Sequence, residues 1–234
     1  MNAPTDARIA ISIAHAAEVM RHASTVDEVL DLIVRGAATT LPSFDHIGIS
    51  TARKRVGITN RGATSDLVHV LDHLQYSLPE GPCFDTLQGE AVVVAPTIRH
   101  DQRWPRYVPR AVERGLLSQV AVRLDLVDQG ITGSLNLYST QAEEISDDDV
   151  LSATAFATHA SIALGRAVET SALTTAVQTR QTIGQAIGIL MERYRIDEQA
   201  AHAFLWRASS HANVKVRDIA VQLIEEAGSH RPQD

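Results

Sequence analysis

Apolar residues recur at three- and four-residue intervals in two stretches at the start of the chain. Ile9, Ile13, Ala16, Ala17 and Met20 share one face, then Val26, Val29, Leu30, Ile33 and Val34 another, the spacing of two amphipathic helices. Pro42 ends the second. The period then shortens. "HIGIST" and "RVGIT" are β-branched runs joined by the basic turn Ala52 to Arg55, as paired strands require. A helix is expected near Ser65 to Gln75, a short one around Phe84, and an apolar strand over Ala91 to Ala95. "SQVAVRLDLV" and "GITGSLNLYS" read as an antiparallel pair turning across Asp128 to Gly130. The regular spacing of a doubly wound parallel sheet is missing, so the fold class is α+β, an antiparallel sheet with flanking helices.

At Ser146 the pattern changes. "SDDDV" reads as a helix start, with Ser146 as N-cap and three carboxylates where the helix dipole favours them. No proline follows until about Tyr194, so the spacing predicts one helix of roughly 70 Å. Leu151, Ala155, Ile162, Leu173 and Val177, among many Ala and Ser residues, suit a seam against a second helix. Residues 146–182 are therefore read as a long signalling helix and the interface of a homodimer. A break near Thr170, giving two ordinary helices, is the alternative.

Two short helices should follow. Asp197 can cap one with Ala200, Ala201, Phe204, Leu205 and Ala208 inward; Asn213 can cap another with Val216, Ile219, Ala220, Leu223 and Ile224 inward, stopping at Gly228. The tail at 229–234 reads as disordered. Within Thr179 to Tyr194, the stripe Ile183, Ala186, Ile187, Leu190 and Tyr194 would pack on these helices. The other face carries Gln181, Gly184, Gln185, Gly188 and Glu192, with Arg180 beside them. Two glycines one turn apart cost a helix about 1 kcal/mol each; they leave a shallow trough that another body can approach closely. Helix crossing explains such spacing equally well. Asn213, Lys215 and Arg217 lie at the start of the third helix, where amides and cationic side chains can hold a phosphate. Amides that read base edges and an arginine that stacks suit an RNA loop with splayed nucleotides.

Charge sharpens this picture. The chain carries a formal charge of -7, which argues against a surface that binds nucleic acid everywhere. Residues 171 to 217, however, hold 6 Lys or Arg against 3 Asp or Glu, so the C-terminal segment alone leans basic. No apolar run approaches the roughly 20 residues that span a bilayer, and the N-terminus has neither a basic n-region nor an unbroken apolar run. A cytoplasmic protein without a membrane partner is expected. The single cysteine, Cys83, excludes an internal disulfide and fits a reducing compartment; in "EGPCFD" it reads as a packed side chain more than a redox sensor. His69 and His73, one turn apart, lack a third ligand for zinc. In "DQRWPRY", Trp104 and Tyr107 read as anchors beneath a surface turn, and "RKR" at 53–55 as a charged hairpin tip.

"TRQTIGQAIGILMERYRIDEQAAHAFLWRASSHANVKVRDIAVQLIEEAG" resembles the ANTAR domain, the RNA-binding three-helix module of bacterial transcription antiterminators. The agreement rests on Ile183, Gln185, Ala186, Gly188, Leu190 and Met191, then Ala201, Leu205 and Ala208, then "NVKVRDIA". One departure is Ile187, where many members carry a lysine. Roughly residues 10 to 165 are similar to a GAF domain, a sensing fold, through "EGPCFDTL", "DQRWPRY", "RGLLSQVAVRL", "GSLNLYS" and "FATHASIAL". The resemblance implies a GAF-like sensor (1–165) and an ANTAR-like module (171–228) that binds paired hairpin loops in nascent RNA as a dimer. Arg180, Gln185 and Gly188 would contact bases and loop, and Asn213, Lys215 and Arg217 would dock phosphates. An unknown small molecule is a possible ligand of the sensor. No phosphate-binding loop, dinucleotide fingerprint or nucleophile elbow is present, so neither an enzyme nor a cofactor is expected. The rivals are a DNA-binding output unit, opposed by Glu225 and Glu226 on the third helix, and a protein-interaction module.

Overall fold

The computed structural model describes residues 5–23, 25–53, 56–126 and 131–229, with side chains except at 5–10, 125, 126 and 229. The Ile9 side chain, Lys54 and Arg55 of the basic turn, the turn at Asp128 to Gly130 and the tail beyond Ser229 thus lie outside the described residues. The chain divides into two compact units, Met1–Glu169 and Thr170–Asp234.

A five-stranded antiparallel sheet organises the first unit. Its strands are β1 (His46–Arg53), β2 (Gly57–Ala63), β3 (Val92–Ala95), β4 (Ser118–Leu126) and β5 (Ile131–Ser139), in the order β2-β1-β5-β4-β3. Register places Ile49 beside Leu135 and Val120 beside Leu137. The two-residue period sends Ile47, Ile49, Val120, Val122, Leu124, Leu135 and Leu137 to one face, where α1 (Thr5–Arg21), α2 (Val26–Thr40) and the start of α6 (Asp147–Tyr194) cover them. The alternate positions, Ser50, Gln119, Ser134, Asn136 and Tyr138, are buried as well. They face α3 (Asp66–Ser77), α4 (Pro82–Gln88) and α5 (Tyr107–Val112). A central strand covered on both sides loses its solvent face, so β5 is buried from Gly133 onward although it alternates apolar with polar residues.

Local chemistry sets the helix boundaries. Thr25 and Glu28 close a reciprocal capping box at α2. Gly81, at φ 121°, turns the chain into α4, and a Cβ there would lie 2.5 Å from Gln75 Oε1, so this turn needs glycine. Asp149 N–H donates to Ser146 Oγ at 3.2 Å and Ser146 N–H donates back to Asp149 at 3.0 Å, which starts α6 where the sequence places it. Its 48 residues form one helix without a break near Thr170. Ala153, Phe156, Ala157, Ala160, Leu164 and Ala167 are buried against the sheet side, whereas Leu151, Ile162, Leu173 and Val177 are 69, 66, 62 and 66% exposed.

The second unit combines the end of α6 with α7 (Glu198–Ala212) and α8 (Val216–Ser229). Its core is Ala186, Ile187, Leu190, Ala201, Leu205 and Ala220, flanked by Ile183, Ile196, Val216, Ile219, Leu223 and Ile224. Asp197 caps α7 by accepting the Ala200 N–H at 2.7 Å. Three details differ from the sequence reading. Tyr194 and Phe204 are 55 and 40% exposed, stacked on each other at the rim of a core built from small and aliphatic side chains. Asn213 does not cap α8: it is the left-handed C-cap of α7, at φ 52° and ψ 38°, its N–H bonded to Ser209 O, a conformation asparagine tolerates. Gly228 does not stop α8, which runs on through it to Ser229; its φ is not positive, so its backbone freedom is not used there.

Candidate functional site

The outer face of α6 follows from its inner one. With Ala186, Ile187 and Leu190 buried, the three- and four-residue spacing leaves Gln181, Gly184, Gln185, Gly188 and Glu192 exposed, with Arg180 exposed beside them. A Cβ added at Gly184 or Gly188 would meet nothing within 4 Å. Packing among the described residues therefore does not account for either glycine. Ile187 belongs to the core, so at that position the helix gains packing and offers no cation.

The second group lies at the α7–α8 turn. Asn213, Lys215 and Arg217 are exposed. Val214 N–H donates to Ser209 O at 3.2 Å, and Ser209 Oγ donates to Val214 O at 2.5 Å, which fixes the turn that carries them. Among the described residues, Arg180, Lys215 and Arg217 form no ion pair. The three-helix core thus brings out a glycine strip with one guanidinium beside it and the Glu192 carboxylate at its far end, and a separate turn with two cations that form no ion pair among the described residues. The sequence reading does not single out His202 and Trp206, which are exposed on α7 with ring centroids 5.4 Å apart. The available signal is a tryptophan one position past the buried Leu205, off the apolar stripe.

The first unit holds a buried polar cluster between the sheet and α3–α4. Asp72 accepts from Asn60 Nδ2 at 2.6 Å, Asn136 Nδ2 at 3.1 Å, Ser50 Oγ at 3.2 Å and the Tyr138 hydroxyl. Burial pushes the Asp72 carboxyl above its ordinary range; the hydrogen bonds from Tyr138, Asn60, Tyr76 and Ser50 oppose this without reversing it. Gln75 donates to the Tyr138 oxygen at 3.0 Å and accepts the Cys83 N–H at 2.9 Å. Burial pushes the Cys83 thiol up to about 12, with the Asp72 charge adding to it. A thiol so placed is a packed group and a poor nucleophile.

Around "DQRWPRY", Trp104 and Tyr107 are buried. Trp104 Nε1 donates to Asp85 at 3.0 Å and the Tyr107 hydroxyl to Gln119 at 2.7 Å. The arginines of this stretch are paired, Arg103 with Asp101 at 2.6 Å and Arg106 with Glu80 at 2.6 Å. Among the described residues no group of His, Cys, Asp and Glu is arranged to hold a metal, and no helix is long and apolar enough to cross a membrane.

The GAF domain family model matches residues 23–165 and the ANTAR domain model residues 171–224. No curated protein matches the chain. Solved structures share the fold of the first unit at low identity. The N-acylhomoserine lactone-dependent LuxR family transcription factor CepR2 from Burkholderia cenocepacia has a TM-score of 0.56 at 13% identity, over 70% of this chain and 99% of that one. The GAF domain of a phosphoenolpyruvate-protein phosphotransferase from Coxiella burnetii has a TM-score of 0.56 at 12% identity, over 71 and 98%. Free methionine-R-sulfoxide reductase from Neisseria meningitidis, solved with its substrate, has a TM-score of 0.54 at 12% identity, over 72 and 95%.

Proposed function

The chain belongs to the GAF domain family and carries an ANTAR domain after it, and from that pairing we propose an RNA-binding antitermination regulator whose GAF domain governs its output. The observation that carries the reading is the open glycine strip. Gly184 and Gly188 weaken α6 by about 1 kcal/mol each, yet among the described residues no side chain uses the space they leave. Approach by a base or sugar to the helix backbone does use it, with Arg180 and Gln185 at its margin. Lys215 and Arg217, exposed at the next turn, supply phosphate contacts, and Asn213 docks the loop.

The exposed row Leu151, Ile162, Leu173 and Val177 supports a homodimer through α6. Three of these positions are spaced by 11 residues, a period that keeps one seam on a nearly straight helix. A dimer presents two identical modules to two hairpin loops, and linkage raises affinity through effective concentration. RNA held this way is withheld from a terminator hairpin. The acids Glu225 and Glu226, exposed on α8, disfavour entry of that helix into a DNA groove.

The test is a titration of the full chain with an RNA carrying two stem-loops, against a single stem-loop and duplex DNA, with Arg217→Ala alongside. Preference for the two-loop RNA, weakened in the variant, is expected. Each of Lys215→Ala and Arg217→Ala should also flatten the dependence of log affinity on log salt by roughly 0.7 to 0.9. Equal binding to all three nucleic acids, or none, overturns the reading.

A further inference from the structure

We propose that His202 and Trp206 form a stacking platform for one unpaired base of the bound RNA, adjacent to the phosphate contacts of the α7–α8 turn; this rests on the RNA-binding reading above. Trp206 is 53% exposed. It lies one helical turn beyond His202, whose ring meets it at 5.4 Å with the planes 33° apart. The imidazole steadies the indole from one side and leaves the rest of the ring to solvent. The other tryptophan is already engaged: Trp104 is buried, donates to Asp85, and has Arg103 4.2 Å from its ring centroid. Trp206 has no such partners among the described residues.

Position links the platform to the turn. Trp206 and Asn213, the C-cap that closes α7, are seven residues apart, about 10 Å along the axis. Ser210, also exposed, lies between them with its hydroxyl bonded to Trp206 O at 2.9 Å. About 10 Å is a step that one or two nucleotides of a splayed strand can cover.

Charge selects the occupant. From Gln199 to Arg217 the chain has no Asp or Glu, but has Arg207, Lys215 and Arg217, all exposed. An apolar protein partner would meet a strip made of His202, Ser210 and Asn213 beside Arg207, which is polar and cationic. Glu198 and Asp218 bound this stretch at its two ends, and aromatic rings set among cations between them are what a single-stranded nucleic acid uses, because every base offers a π face.

The experiment follows tryptophan emission and affinity when the full chain is titrated with the two-stem-loop RNA, comparing wild type, Trp206→Ala and Trp206→Phe. A second RNA of the same design carries abasic nucleotides in its loops. Quenching in the wild type and a loss of affinity of roughly 5- to 150-fold in Trp206→Ala are expected, the range that stacking of one base spans. Trp206→Phe should keep most of the affinity, and the abasic RNA should bind wild type and Trp206→Ala alike. Unchanged affinity in a folded Trp206→Ala overturns the platform and leaves the RNA-binding reading standing. Absence of RNA binding by the wild type overturns both. A dimer lost in Trp206→Ala by sedimentation would assign the ring to contact with a second copy and also overturn the platform.

Discussion

The ring of Tyr194 stacks on that of Phe204, centroids 6.0 Å apart and planes 29° from parallel, joining the last turn of α6 to α7 outside the aliphatic core. A unit of this size has little core to spare. Phe204→Ala should therefore lower the stability of the C-terminal unit by about 1 to 2 kcal/mol, read as an earlier urea midpoint in helical circular dichroism. An unchanged midpoint would show the pair to be ornamental.

The cluster around Asp72 gives a pH dependence of definite sign. Its carboxyl is raised in the folded state, first by burial, so folding takes up protons. The corresponding stability is complete below the unfolded carboxylate range near pH 4 and declines as pH rises through the folded value. Unfolding by urea between pH 4 and 8 should show wild type losing stability relative to Asp72→Asn as pH increases, because other carboxylates cancel in the comparison. A flat difference would mean that the hydrogen bonds balance burial, and a rise with pH that they outweigh it.

Gly184→Ala and Gly188→Ala separate binding from packing. Neither new methyl meets another group, so each substitution should stabilise α6 by roughly 0.4 to 1 kcal/mol while weakening RNA binding. A more stable protein with unaltered RNA affinity would remove the glycine strip from the interface.

Leu173→Lys places a charge in the middle of the exposed row on α6. Sedimentation equilibrium should show dissociation to monomer at concentrations where the wild type is dimeric, with the GAF fold intact by near-ultraviolet dichroism. A dimer that survives this change uses another surface.

Cys83 should be silent in the native protein. At pH 8, a buried thiol raised to about 12 is almost wholly protonated and unreactive. Labelling with iodoacetamide should be negligible until denaturant is added; rapid native labelling would place the thiol at the surface.

The helical architecture was legible because its signals are local: Ser146 with Asp149, Asp197 with Ala200, and the recurrence of Ala186, Ile187 and Leu190 each act within one turn. Asn213 misleads because capping residues suit both ends of a helix, and only the backbone angle decides between an N-cap and a left-handed C-cap. Tyr194 and Phe204 misleadingly extend the apolar stripes; whether a ring enters a core depends on the volume left by neighbours distant in sequence. The buried polar cluster was not legible at all. Ser50, Asp72, Asn136 and Tyr138 are brought together by the pairing of β1 with β5 and the placement of α3, and alternation along β5 alone does not distinguish Asn136 and Tyr138 from residues of a solvent face.

Every polar side chain of that cluster already has a partner. Among the described residues no buried side-chain nitrogen or oxygen lacks a hydrogen-bond partner. A polar molecule entering there would meet side chains that each already have a partner, and would compete for the bonds of Asp72, Asn136 or Gln75. Its apparent affinity would then be its intrinsic affinity scaled by the fraction of time the cluster stands open. Were a small molecule to bind at this cluster, loosening it without touching the ligand would lower the concentration at which binding occurs.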